Sequence, residues 1–223
     1  MPYTAAVMVT GYRGPREGKG RKMARRVMLL LTLTALAMVL LVGGVALAET
    51  FRGTARDDVY AGTSGPDEAY GLVGDDQLSG RGDDDDLYGG AGRDDLYGGP
   101  GGDGLYGGDM SDRQVGDAGN DYVVGGLGND TLAGNDGDDG LYGETGDDRL
   151  RGQGGGDELS SGEGSDRVVG GEGEDRIYAG PKNDTILARD GERDVVECGR
   201  DTDTVYFDEG FDQIQGDCEN LNP

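Results

Sequence analysis

Histidine and tryptophan are absent from this chain of 223 residues, phenylalanine occurs three times and cysteine twice. Without histidine an H-E-x-x-H metalloprotease motif cannot exist, and two cysteines cannot close a structural zinc site. No G-x-S-x-G or Walker A phrase occurs either. So few bulky side chains, set against 47 glycines, are a poor basis for a conventional globular core. Positive charge is scarce as well. Residues 1–48 hold seven of the 20 Lys and Arg and one of the 45 acids, which leaves residues 49–223 with 13 basic and 44 acidic residues and a formal charge of −31. Nucleic acid is therefore not an expected partner, because phosphate binding needs clustered Lys and Arg. Self-repulsion with so little hydrophobicity would ordinarily mean disorder, an outcome that a bound cation would reverse.

The amino end is a separate object. Arg25 and Arg26 precede an uncharged apolar run that closes on Ala46-Leu47-Ala48, the layout of a secretory signal peptide, with Met23 as an alternative start. Cleavage near Glu49 is expected, giving a secreted, extracellular chain with no membrane span. The rival is a retained anchor, because Val27 to Ala48 is 22 residues without a charge. The arginine pair leaves Sec and twin-arginine export both open.

What the chain has in abundance is one phrase. Stepping by nine from Asp67 meets Asp76, Asp85, Asp94, Asp103, Asp112, Asp121, Asp130, Asp139, Asp148, Asp157, Asp166, Asp175 and Asp184 without a miss. Two residues after each comes Ala69, then Leu, Val or Ile, with Gln114 as the one real exception. Glycine opens 12 of these 14 units and precedes the aspartate by two in 11; Asp83, Met110 and Lys182 replace it in the others. The register slips by one at each end, with a leading unit at Asp57 and trailing units at Asp194, Asp203 and Asp212.

A period this strict decides the architecture. One unit supplies a glycine-rich turn and a short strand whose central side chain points inward. Two units make one turn of a flattened spiral, and stacked turns about 4.8 Å apart give each strand partners above and below. The expected fold is all-β, a parallel β-roll or β-solenoid. The regular units make seven turns, a stack roughly 34 Å tall. Its ladder of aliphatic side chains is narrow: each burial yields about 1.5–3 kcal/mol against about 1–2 kcal/mol of backbone ordering per residue. Nine ordered residues per buried aliphatic is a losing balance without help. Glycine turns that aim carbonyls inward and aspartates that supply hard anionic oxygens suit Ca²⁺, which takes six to eight oxygens. Turns on one edge recur every 18 residues, so an ion between turns would see pairs such as Asp103 with Asp121, Asp121 with Asp139, Asp130 with Asp148, and Asp148 with Asp166.

The units resemble the G-G-x-G-x-D-x-U-x nonapeptides of RTX, or hemolysin-type calcium-binding, repeat proteins. The resemblance covers residues 49–216 and implies Ca²⁺ held by turn carbonyls and by the sixth-position carboxylates. On this chain those are Asp67, Asp76, Asp85, Asp94, Asp103, Asp121, Asp130, Asp139, Asp148, Asp157, Asp166, Asp175 and Asp184. Asp112, between Met110 and Gln114, is expected to hold no ion or a weak one. The organisation expected is a leader at 1–48, the calcium-binding roll at 49–188, and degenerate repeats with a carboxyl-terminal cap at 189–223.

Smaller signals remain. Tyr70, Tyr88, Tyr106, Val124, Tyr142, Ser160 and Tyr178 fall at steps of 18 on one sheet, an outward file that suits cross-strand stacking or a face for a glycan or protein. Cys198 and Cys218 lie 20 residues apart, close to one turn, and a disulfide between them fits an oxidising compartment. The Arg81–Asp83 tripeptide and the sequons at Asn129 and Asn183 read as repeat residues. What precedes the repeats reads as a leader rather than a catalytic domain, and aspartates committed to metal cannot serve as acid and base, so catalysis is not expected. Two readings stay open: a secreted calcium-binding structural or surface protein, and an adhesin-like recognition module.

Overall fold

A nine-residue unit that alternates a turn with a short strand places successive strands on opposite sides of a roll. The computed structural model, which describes residues 48–216 and 218–223, has this arrangement. The expected leader at 1–48, apart from Ala48, lies outside the described residues. The strands are β1 (Thr50–Arg52), β2 (Val59–Ala61), β3 (Glu68–Val73), β4 (Gln77–Ser79), β5 (Asp86–Ala91), β6 (Asp95–Pro100), β7 (Gly104–Asp109), β8 (Arg113–Ala118), β9 (Tyr122–Leu127) and β10 (Thr131–Asp136). They continue as β11 (Gly140–Thr145), β12 (Arg149–Gly154), β13 (Glu158–Ser160), β14 (Arg167–Glu172), β15 (Arg176–Pro181), β16 (Thr185–Ala188), β17 (Val195–Arg200), β18 (Thr204–Phe207), β19 (Gln213–Gln215) and β20 (Asn220–Asn222). Odd-numbered strands form one ten-stranded sheet and even-numbered strands a second. Every pairing is parallel, and in the regular part the register steps by 18: Leu87 faces Leu105, and Leu132 faces Leu150. Two units per turn is thus the observed geometry, and the fold is the expected β-solenoid. Among the described residues there is no helix, hence none long and apolar enough to cross a membrane.

The core is the inward ladder. Leu78, Leu87, Leu96, Leu105, Val123, Leu132, Leu141, Leu150, Leu159, Val168, Ile177 and Ile186 are fully buried between the sheets. Gln114 occupies the same position, fully buried, and donates its Nε2–H to the Val124 carbonyl at 2.7 Å, which meets part of its polar demand. The amino end of the ladder holds Phe51 and Tyr60, whose rings stack at 4.7 Å and cover the first aliphatic rungs. Aromatic bulk suits that end, where among the described residues no further turn precedes the ladder.

The stack has ten turns, not only the seven of the regular units, because β1, β2 and β17–β20 continue both sheets. The slip of register near the carboxyl end is absorbed in turns: Ile177 faces Val196 and Ile186 faces Val205, each 19 residues on, and the inward ladder is unbroken. Cys198 on β17 is disulfide-bonded to Cys218, with Cα atoms 5.3 Å apart, as expected from their spacing.

The tyrosine file also forms. Tyr70, Tyr88 and Tyr106 stack in parallel at 4.8 and 4.7 Å. At Val124 the file would break, but Tyr122 on the same strand bridges the gap, 6.1 Å from Tyr106 and 5.1 Å from Tyr142.

Candidate metal centres

Each turn must reverse the chain within a few residues, and positive φ recurs at the second and fourth positions of the unit. Glycine holds most fourth positions, with φ of 126° to 155° where it is positive; Asp83, Met110 and Lys182 also take positive φ there, but in the left-handed region, at 70°, 77° and 86°. The three departures from the pattern keep the turn, at a strain of roughly 1 kcal/mol each.

The turns bring the predicted aspartates into two files, one along each edge of the roll. Along one edge, the backbone N–H of Asp85 donates to Oδ1 of Asp103, Asp103 to Asp121, and Asp121 to Asp139, each at 2.8 Å. Along the other, Asp112 donates to Asp130 at 2.8 Å, Asp130 to Asp148 at 2.7 Å, and Asp148 to Asp166 at 2.7 Å. All four expected pairs are therefore joined. The same bond continues to Asp175, Asp184, Asp194 and Asp203.

Oδ1 is thus spent on holding the turn below, and Oδ2 is what remains. Oδ2 is buried and without a hydrogen-bond partner in Asp76, Asp85, Asp94, Asp103, Asp112, Asp121, Asp130, Asp139, Asp148, Asp157, Asp166, Asp175, Asp184, Asp194 and Asp203. Leaving one buried carboxylate uncompensated costs several kcal/mol, and fifteen in one small roll demand a cation. In eleven of the fifteen the space beside the oxygen is kept open by a glycine at the first position of the unit; Asp166, Asp184, Asp194 and Asp203 have no glycine there. A methyl group added at Gly125 would fall 2.5 Å from Asp130 Oδ2 and 2.8 Å from the carbonyl oxygen of Gly143, one turn on. Carboxylate and carbonyl oxygens therefore face one cradle, the donor set of a hard cation. Among the described residues no three acidic, Cys or His side chains group closely enough to hold an ion by themselves, so carbonyls have to complete any ligand set.

Burial dominates the electrostatics. It pushes Asp103, Asp112, Asp139, Asp148, Asp175 and Asp184 up to about 7, and Asp85, Asp94, Asp121, Asp130 and Asp157 up to about 6, against the opposing pull of the N–H bond to each Oδ1. Asp76 and Asp166 are raised by the same cause.

The structure separates some aspartates that the sequence treats alike. Asp112 is as buried as its neighbours and has the same unpartnered Oδ2, so its geometry gives no ground for setting it apart. Asp67 differs: Oδ1 accepts from Glu49 N–H and Oδ2 from Thr63 N–H, both at 2.6 Å, so backbone amides take up both oxygens. Asp166 and Asp184 belong to the two units whose opening glycine is replaced, by Ser161 and Ala179, and a side chain stands where the other turns have open space. Ser161 is fully buried and donates its hydroxyl to the Ala179 carbonyl at 2.7 Å. Asp194 and Asp203 fall outside the expected set because the one-residue slip takes them out of the nine-residue count.

With this geometry in hand, comparison with known families is decisive. The model of the RTX calcium-binding nonapeptide repeat, four copies long, matches in overlapping windows at 52–87, 70–105, 79–114, 106–141, 115–150, 134–168, 142–177 and 169–214. The chain belongs to the RTX calcium-binding repeat family. Its cofactor is Ca²⁺, and the buried files of aspartate run through the matched windows. No curated protein matches the sequence.

Proposed function

We infer that this RTX protein is exported and folds outside the cell on binding calcium, where it serves as a structural or surface-associated element and not as an enzyme. The observation that carries this reading is the series of unpartnered, buried Oδ2 atoms along both edges. A roll with that much uncompensated charge is unstable without cations and stable with them, so calcium concentration becomes the folding signal. Extracellular calcium modules bind at about 10⁻⁴–10⁻³ M, which keeps the chain unfolded in a calcium-poor cytosol. Individual ligands on this reading are the aspartates from Asp76 to Asp184 of the expected set, with Asp112, Asp194 and Asp203 added. Asp67 is the weakest member.

The experiment is a calcium titration followed by far-ultraviolet circular dichroism. Disorder in chelator and a steep gain of β-structure near millimolar calcium are expected, since an ion shared between turns orders half the ligands of the next. Full β-structure in chelator, with a melting temperature that calcium leaves unchanged, would sink the reading. Export is tested separately by the intact mass of the extracellular form, expected to begin at or near Glu49.

The tyrosine file is the feature that would favour an adhesin-like role. Tyr70, Tyr88 and Tyr106 already stack on one another with interplanar angles of 7° and 5°, so the ring faces a sugar would use are taken by neighbouring strands. The file serves the sheet.

A further inference from the structure

The outward positions of the two sheets differ in charge. On the first sheet they include Glu68, Asp86, Glu158 and Glu197. On the second sheet, from β8 onward, register aligns Arg113, Thr131, Arg149, Arg167, Thr185 and Thr204 in one file. The parallel file two residues on is Val115, Ala133, Arg151, Val169, Leu187 and Tyr206. From β8 onward neither file contains an acid, in a segment whose formal charge is −31, although the residue before Arg113 in register, on β6, is Asp95. Arg113, Arg149, Arg151 and Arg167 are exposed, and among the described residues none of their guanidinium groups makes an ion pair or hydrogen bond. The one ion pair among the described residues, Arg93 with Asp75, is elsewhere. Beside Arg167 the surface sinks into an open trough of 780 Å³ lined by Val169, Thr185, Leu187, Arg189 and Tyr206, with Glu172 and Asp190 at its turn side.

We propose that this strip of the second sheet, from Arg113 to Tyr206, binds a linear polysaccharide that carries carboxylates. Four unpaired guanidinium groups supply bidentate partners for carboxylate, the geometry at which arginine excels. The file rises about 4.8 Å per strand, roughly 24 Å over its six strands, so it suits an extended chain better than a single small anion. Thr131, Thr185 and Thr204 stand in line with the arginines and offer hydroxyls to a hydroxyl-rich ligand. Nucleic acid fits less well, because single strands are held by bases stacked on free aromatic faces, and the ring of Tyr206 is already covered by Arg189 at 5.5 Å.

The same geometry makes the binding calcium-dependent. Arg113, Arg149 and Arg167 are 18 to 54 residues apart in sequence and share a file only in the folded roll. Ions held along the two edges also offset the acidic turns that flank the strip, and so lower the long-range repulsion felt by an approaching polyanion. The inference rests on the calcium-folded roll proposed above but not on export.

The test uses the calcium-loaded protein with carboxymethyl-dextran, dextran sulfate, neutral dextran and an oligonucleotide as probes, with binding followed by calorimetry at several salt concentrations. Carboxymethyl-dextran is expected to bind, neutral dextran not, and the oligonucleotide more weakly; dextran sulfate, whose groups guanidinium also holds bidentately, tests whether anionic charge alone decides. The combined variant Arg149→Gln, Arg151→Gln and Arg167→Gln should lose at least about tenfold in affinity and show a flatter salt dependence, with an unchanged calcium-induced circular dichroism. Tyr106→Val, which copies the residue at Val124, should bind as the parent does. Equal affinity in the triple variant would mean that calcium bridges the polymer to the acidic edges, and would overturn the proposal. Stronger binding of the oligonucleotide or of dextran sulfate would reassign the ligand, and a rise in protein mass without polymer would assign the strip to a second copy of the chain. A protein that folds in calcium yet binds none of the polymers fails this inference alone; one that fails to fold in calcium fails the proposed function and this inference with it.

Discussion

Asp130 donates its backbone N–H to Oδ1 of Asp148 at 2.7 Å, and Asp148 Oδ2 is left buried without a partner. One side chain therefore does two jobs. Its first oxygen sets the register of the turn below, and its second carries charge into a buried cradle beside the Ser161 carbonyl, where a proton or a cation would offset it. Separating the two jobs by mutation is the most direct probe of the metal centres.

Asp148→Asn keeps the volume and the Oδ1 acceptor but removes the charge. In chelator the variant should be no less stable than the parent, because an uncompensated buried carboxylate has gone. In saturating calcium it should be less stable by about 3 kcal/mol, the scale for breaking a buried charge pair. Thermal melts with and without calcium read both signs. A loss of equal size in chelator would mean that Asp148 acts only through its hydrogen bond.

Asp112→Ala and Asp139→Ala should reduce calcium-dependent stability by similar amounts. Both side chains are buried to 3 % exposure, both have an unpartnered Oδ2, and both are pushed up to about 7 by burial. The sequence alone suggests that Met110 and Gln114 spoil the Asp112 turn. Met110 instead keeps a positive φ, 77°, in the left-handed region, and Gln114 turns its amide to the Val124 carbonyl. A calcium titration of the two variants side by side decides the matter.

Much of this fold can be read from spacing alone, because one strict period dictates strand, turn, inward side chain and carboxylate together. The edge pairing of Asp103 with Asp121, and the Cys198–Cys218 bond, follow from an 18-residue turn. What the spacing hides is whatever departs from it or lies between its fixed points. Asp194 and Asp203 are in the file only because a turn absorbs one extra residue. Tyr122 enters the tyrosine file from a position two residues earlier in the unit. The arginine strip uses positions the repeat leaves free, and its sign is masked by the charge of the turns around it. Asp67 keeps the nine-residue count of the other units, yet Thr63 and Glu49 amides satisfy it, which the count alone does not show.

The opening glycine is the position where a single methyl group should matter most. Gly125→Ala places that group 2.5 Å from Asp130 Oδ2 and should weaken calcium binding at that turn and raise the midpoint of folding. Ser161→Gly is the reverse change: it clears the space beside Asp166 at the cost of one hydrogen bond to Ala179. It should lower the midpoint while reducing stability in chelator by about 1 kcal/mol. If Gly125→Ala leaves the calcium titration untouched, the ion does not use that cradle.

Reduction of the Cys198–Cys218 bond should act locally. It closes a loop of about 20 residues, worth about 3 kcal/mol in the chain-entropy model. The strands it ties, β17 and the segment after β19, lie at the carboxyl-terminal edge of the sheets, where β19 and β20 are the last strands among the described residues. Reductant in the presence of calcium should therefore expose the chain to proteolysis beyond about Asp194 and leave the ladder from Leu78 to Ile177 protected. Loss of the whole roll under those conditions would show that the stack melts as one unit.

Acid and calcium should stabilise the roll in related ways. Burial raises Asp103, Asp139, Asp148, Asp175 and Asp184 to about 7, whereas in an unfolded chain an aspartate titrates near 3.9. Between those values the folded, calcium-free roll binds protons that the unfolded chain does not. Its stability therefore rises as pH falls from about 7 toward 4, and falls as pH rises. In saturating calcium the carboxylates are ionised in the folded state and, above about pH 5, in the unfolded state as well, so stability should change little over the same window. The increment that calcium adds must then shrink as the solution is acidified. Melting temperatures at pH 5, 6, 7 and 8, each with calcium and with chelator, give the two curves, which should converge at the acid end. If the chelator curve falls on acidification, the buried Oδ2 atoms are not what sets the stability of the calcium-free roll.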